Sequence, residues 1–221
     1  EALPAEILRR WQKKTNVEIL DGIGSTEALH IFITNLPGQA VPGASGQLVP
    51  GYNAKILNEN DNPVEPGSVG RLLIKGPSTA RCYWGDAEQT SKTMVGEWLE
   101  TGDTYFQDQN GIFIYCGRND DMMKVGGIWC SPFEIEAKLI EHPAVLESAV
   151  ISQKDDDGLD KPTAFVVLKD PTRASDELKE ELTFFIKSNL AKYKYPRQIF
   201  FIETLPKTAT GKIQRFKLRK L

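Results

Sequence analysis

The stretch Gly117-Arg118-Asn119-Asp120-Asp121-Met122-Met123-Lys124-Val125-Gly126-Gly127 divides the chain into two parts of different sequence character. Paired glycines beside arginine, aspartate and lysine place a flexible backbone next to groups that bind phosphate or ribose. Taken alone, the stretch is more typical of a polar linker. Both interpretations put a domain boundary near Gly117 and Arg118, and 221 residues suffice for two domains of ordinary size.

The part before the boundary begins with four short segments. Apolar residues at helical spacing predict a helix over residues 4–14, and residues 17–20 predict a short strand. Residues 21–27 then predict a turn, and residues 28–33 continue as strand or helix. This order is typical of the final unit of a larger α/β sheet.

From residue 37 to about residue 116, glycine and proline recur with short apolar runs between them. The runs at residues 54–57, 71–74 and 111–115 predict short antiparallel strands. Together they predict a small β-barrel or sandwich.

Beyond the boundary the pattern is mixed. Residues 132–140 predict a helix with Ser131 before it and proline in its first turn, and residues 176–190 predict a helix capped by Ser175 or Asp176. Three apolar runs predict strands, at residues 145–151, 163–168 and 199–202. These elements predict a compact α+β domain of about a hundred residues.

The predicted fold class is therefore α/β and α+β. Residues 1–117 form the end of a large α/β domain followed by a small β-barrel subdomain, and residues 118–221 form a small C-terminal α+β domain.

Composition excludes several classes of protein. No run of eighteen apolar residues occurs and the N-terminus lacks the basic start of a signal peptide, so neither a membrane span nor secretion is expected. Cys82, Cys116 and Cys130 show no C-x-x-C spacing, which favours three buried or part-buried thiols in a reducing cytoplasm over a disulfide framework or a zinc site.

The net charge is −3, and the last fifteen residues carry six basic residues and no acid. Such a tail suits a solvated end, a phosphate-facing surface or a nucleic-acid patch. Nucleic acid is not expected, because aromatic and basic residues do not alternate across a long face.

The segment Asp21-Gly22-Ile23-Gly24-Ser25-Thr26-Glu27 combines two glycines with two hydroxyls and a carboxylate. The glycines let a backbone approach a ligand closely, hydroxyls donate to phosphate oxygens, and a carboxylate binds magnesium. The dinucleotide-binding fingerprint fails, because Glu27 stands where its third glycine would be. A tight turn capped by Ser25 or Thr26 explains the same residues equally well.

Two further segments contain candidate groups. In Thr101-Gly102-Asp103, the aspartate could accept two hydrogen bonds from a ribose diol, although an aspartate in a β-turn is the commoner explanation. In residues 207–215, the loop Thr208-Ala209-Thr210-Gly211 could hold Lys212 at its tip, where its charge could meet a developing anion. One surface lysine among many is the plainer interpretation.

Taken together, the order and content of these four segments resemble the adenylate-forming superfamily of acyl-CoA synthetases, luciferases and peptide-synthetase adenylation domains. The resemblance runs from about Asp21 to the end of the chain, and it is most specific in residues 117–136 and 206–215. Further segments are similar to the benzoate–CoA ligase branch: residues 21–27 with 29–32, residues 124–129 and residues 191–196.

The resemblance implies a role for each matching position. In the nucleotide site it places Thr26 at the α-phosphate, Glu27 at magnesium, and Asp103 and Arg118 at the ribose. The rest of that site is implied to be formed by Asp21, Gly22, Ile23 and Ser25.

For acyl transfer, the resemblance implies a hinge at Asp120, about which a mobile C-terminal domain rotates. Lys124 is implied to act in the second half-reaction and Lys212 to be the adenylation lysine. Gly126 and Gly127 are implied to border the pantetheine channel.

Three other positions need separate interpretation. His30 follows Glu27 by three residues, so it either lines the aryl pocket or packs in the core. Two residues depart from the superfamily pattern: Ile23 stands where an aromatic ring often stacks on adenine, and Arg71 stands where glutamate is common.

The resemblance implies a cytoplasmic, AMP-forming aryl carboxylate–CoA ligase of aromatic degradation. It would use ATP, Mg²⁺ and coenzyme A on a small aryl carboxylic acid, with no nucleic-acid or membrane partner. An adenylation domain that loads a carrier protein and a non-catalytic nucleotide-binding module are the alternatives. The superfamily's phosphate loop is not among these 221 residues, so we expect that the remainder of the N-terminal domain is needed for activity.

Overall fold

A computed structural model describes residues 2–221 of the chain. The chain divides into two compact units, residues 2–120 and residues 121–221. The division falls between Asp120 and Asp121, three residues beyond the predicted position.

The elements of the N-terminal unit follow one another along the chain. They are α1 (Ala5–Thr15), β1 (Gly22–Gly24), β2 (Ile31–Thr34), β3 (Gln47–Leu48), β4 (Asn53–Leu57), β5 (Gly70–Lys75), α2 (Ala87–Thr93), β6 (Met94–Val95), β7 (Trp98–Gln107) and β8 (Phe113–Arg118).

Helix α1 confirms the predicted helix, with Leu8 buried. It ends at Asn16, whose left-handed backbone (φ 56°) lets its N–H donate to the Gln12 carbonyl. The predicted strand over residues 17–20 is wrong: these residues form no strand, and Val17 is 55% exposed. Pairing starts only at β1, inside the predicted turn, because glycine there permits a close neighbouring strand.

The N-terminal unit contains two antiparallel sheets. One has the order β1-β2-β3, and the other has the order β4-β5-β7-β6 with β8 also beside β7. The second sheet is an open half-barrel instead of a closed barrel. Strands β4 and β5 confirm the runs predicted at residues 54–57 and 71–74.

Two local features of this sheet concern the start of β8 and the contacts of Arg71. β8 starts at Phe113, two residues later than predicted, because the Asp108 carboxylate accepts the N–H groups of Asn110 and Ile112 and closes a turn. Arg71, the departure from the superfamily pattern, lies on β5 and pairs with Asp61 and with Glu100 of β7.

The C-terminal unit is α+β, as predicted. Its elements are β9 (Met123–Val125), β10 (Ile128–Cys130), α3 (Pro132–Glu141), β11 (Val145–Lys154), β12 (Asp160–Leu168), α4 (Asp176–Asn189), β13 (Gln198–Phe201) and α5 (Arg215–Leu218). The hydroxyls of Ser131 and Ser175 cap α3 and α4, which confirms both predicted starts.

The three-stranded sheet β11-β12-β13 is covered on both faces. On one face, Val150, Ala164 and Val166 pack with apolar residues of α3 and α4. On the other, Phe165 and its neighbours pack against a smaller cluster that includes Leu205 and Leu218. The central strand β12 is therefore buried continuously from Pro162 to Leu168, and its last five residues are all apolar.

Within residues 2–221, no helix combines the length and the apolar character that crossing a membrane requires.

Candidate active site

Strand β1 carries the first predicted site residues. A Cβ atom added at Gly22 would lie 2.7 Å from the Ile33 carbonyl oxygen, and one added at Gly24 would lie 2.6 Å from the His30 carbonyl oxygen. The close approach that these glycines allow is therefore to strand β2. Ile23, between them, packs against the buried core of the N-terminal unit.

A 3-10 turn over Thr26–Ala28 follows β1. The Ser25 hydroxyl accepts the N–H of Ala28 at 3.3 Å, so Ser25 caps the turn as one interpretation expected. Thr26 is exposed at the first position of the turn. Leu29 ends it with a positive φ of 66°, a backbone conformation that is rare for a residue with a branched side chain.

Asp21 has a structural task at the start of β1. Its carboxylate accepts the backbone N–H of Leu3 at 3.1 Å and that of Gly22 at 3.0 Å. Burial raises the pKa of the Asp21 carboxyl, and the two backbone donors oppose that effect.

Glu27 is held by Tyr83. The Tyr83 hydroxyl donates to Glu27 Oε1 at 2.6 Å. This bond is the largest of the influences that lower the pKa of Glu27, and the positive charge of Arg118 acts in the same direction. Glu27 is therefore an ionised carboxylate at neutral pH.

His30 is exposed, so the core-histidine interpretation is wrong. Its Nδ1 lies 2.6 Å from the Ile31 carbonyl oxygen, and its Nε2 lies 3.2 Å from the Tyr52 hydroxyl. The two rings meet edge to face at 5.7 Å between centroids. These contacts fix the orientation of an exposed imidazole.

Asp103 and Arg118 face each other on adjacent strands. They are register partners of β7 and β8, and Arg118 Nη1 donates to Asp103 Oδ1 at 3.2 Å. The same nitrogen donates to the Thr101 carbonyl at 3.2 Å. The Asp103 side chain is 13% exposed and that of Arg118 is 51% exposed. Asp103 lies in a strand, so the β-turn interpretation is wrong.

Gly102 lies against the guanidinium of this pair. Its φ is +74°, and a Cβ atom there would lie 2.7 Å from Arg118 Nη2. Any larger residue would face both a strained backbone and the guanidinium.

Asp120, the predicted hinge residue, is the last residue of the N-terminal unit. Its exposed carboxylate lies 3.9 Å from Arg118 Nε. It belongs to the turn after β8, in which Asn119 donates its N–H to the Gly102 carbonyl at 2.9 Å.

In the C-terminal unit, Lys124, Gly126 and Gly127 lie on one hairpin. Strands β9 and β10 pair with Lys124 opposite Trp129, and the Lys124 ammonium lies 5.2 Å from the centroid of a Trp129 ring. Gly126 and Gly127 form its two-residue turn, with φ values of +59° and +81°. Two positive φ angles are typical of a type I′ turn, which explains the paired glycines.

Lys212 lies at the end of a closed loop. The N–H of Thr208 donates to the Lys212 carbonyl at 2.8 Å, and the N–H of Lys212 donates to the Thr208 hydroxyl at 3.1 Å. Lys207 and Ile213 continue this pairing as a β-bridge, and Ile213 packs against the sheet. The structure thus confirms the predicted loop, but Lys212 lies exposed at its closing end and not at its tip, because Lys212 pairs with Thr208.

The N-terminal unit brings together Asp103 with Arg118, and Glu27 with Tyr83. Sequence reasoning missed Tyr83, which lies 56 residues from its partner. The adjacent aromatics Tyr83 and Trp84, in an otherwise polar segment, were the only local signal.

The residues present fit the implied ligands. Mg²⁺ is commonly bound by one or two carboxylates together with substrate phosphates, and Glu27 is such a carboxylate. No cluster of three or more His, Cys, Asp or Glu side chains suited to a metal occurs within residues 2–221. The oriented carboxylate of Asp103 can accept hydrogen bonds from a diol.

Comparison with known proteins agrees with these features. The model of the AMP-binding enzyme family matches residues 1–84, and that of the AMP-binding enzyme C-terminal domain matches residues 134–212. The chain is 51% identical over 220 residues to a benzoate–CoA ligase of Thauera aromatica, covering 99% of this chain and 42% of that protein.

Two solved structures are similar over the whole chain. The anthranilate CoA ligase AuaEII in complex with anthranoyl-AMP matches with a TM-score of 0.95 and 49% identity, covering 100% of this chain and 43% of that one. A benzoate CoA ligase from Burkholderia xenovorans LB400 matches with a TM-score of 0.92 and 51% identity, covering 99% and 44%. The chain spans less than half the length of these relatives. It belongs to the AMP-binding enzymes, and benzoate–CoA ligases are among its homologues.

Proposed function

We propose that the whole protein is an AMP-forming ligase that joins a benzoate-type aryl carboxylate to coenzyme A. The observation that carries the proposal is the 51% identity to a benzoate–CoA ligase over 220 residues, which runs through both units of the chain. The anthranoyl-AMP bound by a similar structure supports an aryl acid as the activated group.

The chemistry proceeds in two half-reactions. A carboxylate oxygen of the acid attacks the α-phosphorus of ATP, and pyrophosphate leaves with the bonding electrons of the broken P–O bond. The thiol of coenzyme A then attacks the acyl carbon, AMP leaves, and the thiol proton passes to solvent. The first step converts a poor electrophile into one with a good leaving group.

Four residues of the N-terminal unit would hold the nucleotide. Asp103 accepts hydrogen bonds from the ribose hydroxyls, and Arg118 keeps its carboxylate oriented. Thr26 donates to the α-phosphate, and Glu27 holds the magnesium ion that neutralises phosphate charge when bound. Asp21, Gly22, Ile23 and Ser25 would shape the adjoining wall, and the pairing of Gly22 and Ile23 with β2 supports this placement.

The C-terminal unit would supply a different lysine to each step. Lys212 neutralises charge that develops on phosphate and carboxylate oxygens during adenylation. Rotation of the C-terminal unit about Asp120 then moves Lys212 away and brings in the β9–β10 hairpin. On this hairpin Lys124 acts in the second step, and Gly126 and Gly127 border the path of the thiol. A hinge at Asp120 is supported by the division of the chain after that residue.

His30 would line the acyl pocket. This role is supported by its exposed imidazole, whose orientation is fixed by contacts with the Tyr52 hydroxyl and the Ile31 carbonyl. We also propose a cytoplasmic location and a role in the degradation of aromatic acids. Cys82, Cys116 and Cys130 form no disulfide within residues 2–221, which suits a reducing compartment. Cys116 and Cys130 are buried as expected, whereas Cys82 is exposed.

The test is a panel of aryl acids given to the whole protein with ATP, Mg²⁺ and coenzyme A, with products separated by mass. Benzoyl-CoA as the main product is expected. Acyl-adenylate that accumulates while coenzyme A stays unused would favour an adenylation domain that loads a carrier protein. AMP binding with no pyrophosphate released from any acid would favour a non-catalytic module.

A further inference from the structure

The segment of residues 78–83 contacts the turn that carries Glu27. The N–H of Ala80 donates to the Glu27 carbonyl at 2.6 Å, and the Ser78 hydroxyl donates to the next carbonyl of the turn at 2.5 Å. The third contact is the Tyr83 hydroxyl, which donates to Glu27 Oε1 at 2.6 Å. Two contacts thus hold the backbone of the turn, and the third holds the carboxylate itself.

The position of Tyr83 is set by its own neighbours. Its backbone N–H donates to the Thr90 hydroxyl of α2 at 2.9 Å, and that hydroxyl donates to the Asp86 carbonyl at 2.6 Å. Asp86 caps α2 by accepting the N–H of Gln89 at 2.9 Å. The start of a helix therefore anchors the tyrosine independently of the carboxylate that it contacts.

A phenol is protonated at neutral pH, so Tyr83 is the donor and Glu27 the acceptor. A hydrogen bond to an ionised acceptor is short and roughly twice as strong as a neutral one. The bond restricts the Glu27 side chain before a ligand is bound. Ligand binding then costs less side-chain conformational entropy.

We propose that Tyr83 is a positioning residue for Glu27, holding its carboxylate in the orientation that binds the magnesium ion of the nucleotide. This inference rests on the proposed function. Carboxylates that bind metals are usually themselves hydrogen-bonded, and loss of such a partner typically weakens metal affinity by 10- to 100-fold. Tyr83 touches neither the substrate nor the metal in this scheme.

The test measures divalent-cation binding to the whole protein in the presence of ATP and without any acid, so that no turnover occurs. Mn²⁺ serves as the probe, and its free concentration is followed by electron paramagnetic resonance. Tyr83→Phe keeps the ring and is expected to raise the Mn²⁺ concentration for half-saturation about tenfold or more. In the adenylation assay, the Mg²⁺ requirement should rise likewise, while the rate at saturating Mg²⁺ changes by less than about twofold.

A double-mutant cycle separates positioning from a general structural effect. If Tyr83 acts through Glu27, adding Tyr83→Phe to Glu27→Gln should change Mn²⁺ binding by less than about twofold. Ser45→Ala is the structural control, because it removes a buried hydrogen bond to the Tyr105 hydroxyl. It should lower the melting temperature and leave Mn²⁺ binding unchanged.

Normal Mn²⁺ binding in Tyr83→Phe, with weakened binding in Glu27→Gln, would overturn the inference and leave the proposed function in place. Equal weakening by Tyr83→Phe in both backgrounds would also overturn it. Normal binding in Glu27→Gln would remove the metal role of Glu27 from the proposed function, and the inference would fall with it.

Discussion

Arg215 bonds both carboxylate oxygens of Glu136, each at 2.8 Å, and so joins helix α5 to helix α3. Glu136 Oε1 also accepts the N–H of Val150 at 2.7 Å. Arg215 lies 3.8 Å from Asp121, the first residue after the proposed hinge, and follows Lys212 by three residues. Arg215 therefore links the start of the C-terminal unit, through Asp121, and helix α3, through Glu136, to the end that carries the lysine loop.

Removing one member of this pair should destabilise the chain. Glu136→Gln or Arg215→Met leaves a buried charge without its main partner, so we expect the free energy of unfolding to fall by roughly 3 kcal/mol. Urea denaturation followed by circular dichroism measures the change. Lys179→Met is the matched control, since it breaks an exposed pair with Asp176 in the same unit and should cost under about 0.5 kcal/mol. Equal losses in both variants would contradict the prediction.

Asp103→Asn should weaken nucleotide binding about 10- to 100-fold, because a hydrogen bond to a charged group contributes roughly 1.5–3 kcal/mol. The whole protein should bind ATP better than 2′-deoxyATP, and the variant should lose that preference. Binding of both nucleotides is measured by titration calorimetry. Glu100→Gln is the control. It breaks the pair between Glu100 of β7 and Arg71 of β5, and it should keep the preference for ATP. An unchanged preference in Asp103→Asn would exclude the ribose role.

Gly102→Ala tests whether the Asp103–Arg118 arrangement is needed. The new methyl group would strain a backbone at φ +74° and would meet the Arg118 guanidinium at 2.7 Å. Gly51→Ala carries the backbone strain alone, because Gly51 has φ +92° and no atom within 4 Å of the added Cβ. Both should lose about 1–2 kcal/mol of stability, and Gly102→Ala alone should lose ATP affinity. Equal ATP affinity in the two variants would rule out a need for close packing at Gly102.

Lys212→Ala should block adenylation, with a loss on the order of a hundredfold or more, and should spare thioester formation from supplied acyl-adenylate. The two half-reactions are assayed separately, as pyrophosphate release and as acyl-CoA formation. Lys220→Ala removes another exposed lysine near the C-terminus and should affect neither. Equal loss of both half-reactions in Lys212→Ala would reject a role confined to adenylation.

Sequence reasoning succeeded where the information is local. The caps at Ser131 and Ser175 and the alternation of strands with helices depend on contacts within a few residues. Sequence reasoning missed the β9–β10 hairpin, because the glycines at its turn, Gly126 and Gly127, also suit a flexible backbone or a polar linker. It failed over residues 17–20, because an apolar run does not reveal whether a partner strand is available.

The sequence by itself determined the family, the two-part organisation and the identities of the candidate groups in the two units. Only the tertiary structure decided how those groups are held. Tyr83 meets Glu27 across 56 residues, and Arg215 meets Glu136 across 79. Local propensities cannot specify such pairs, because each depends on which faces of distant elements pack together and on the burial that makes an unpaired charge costly.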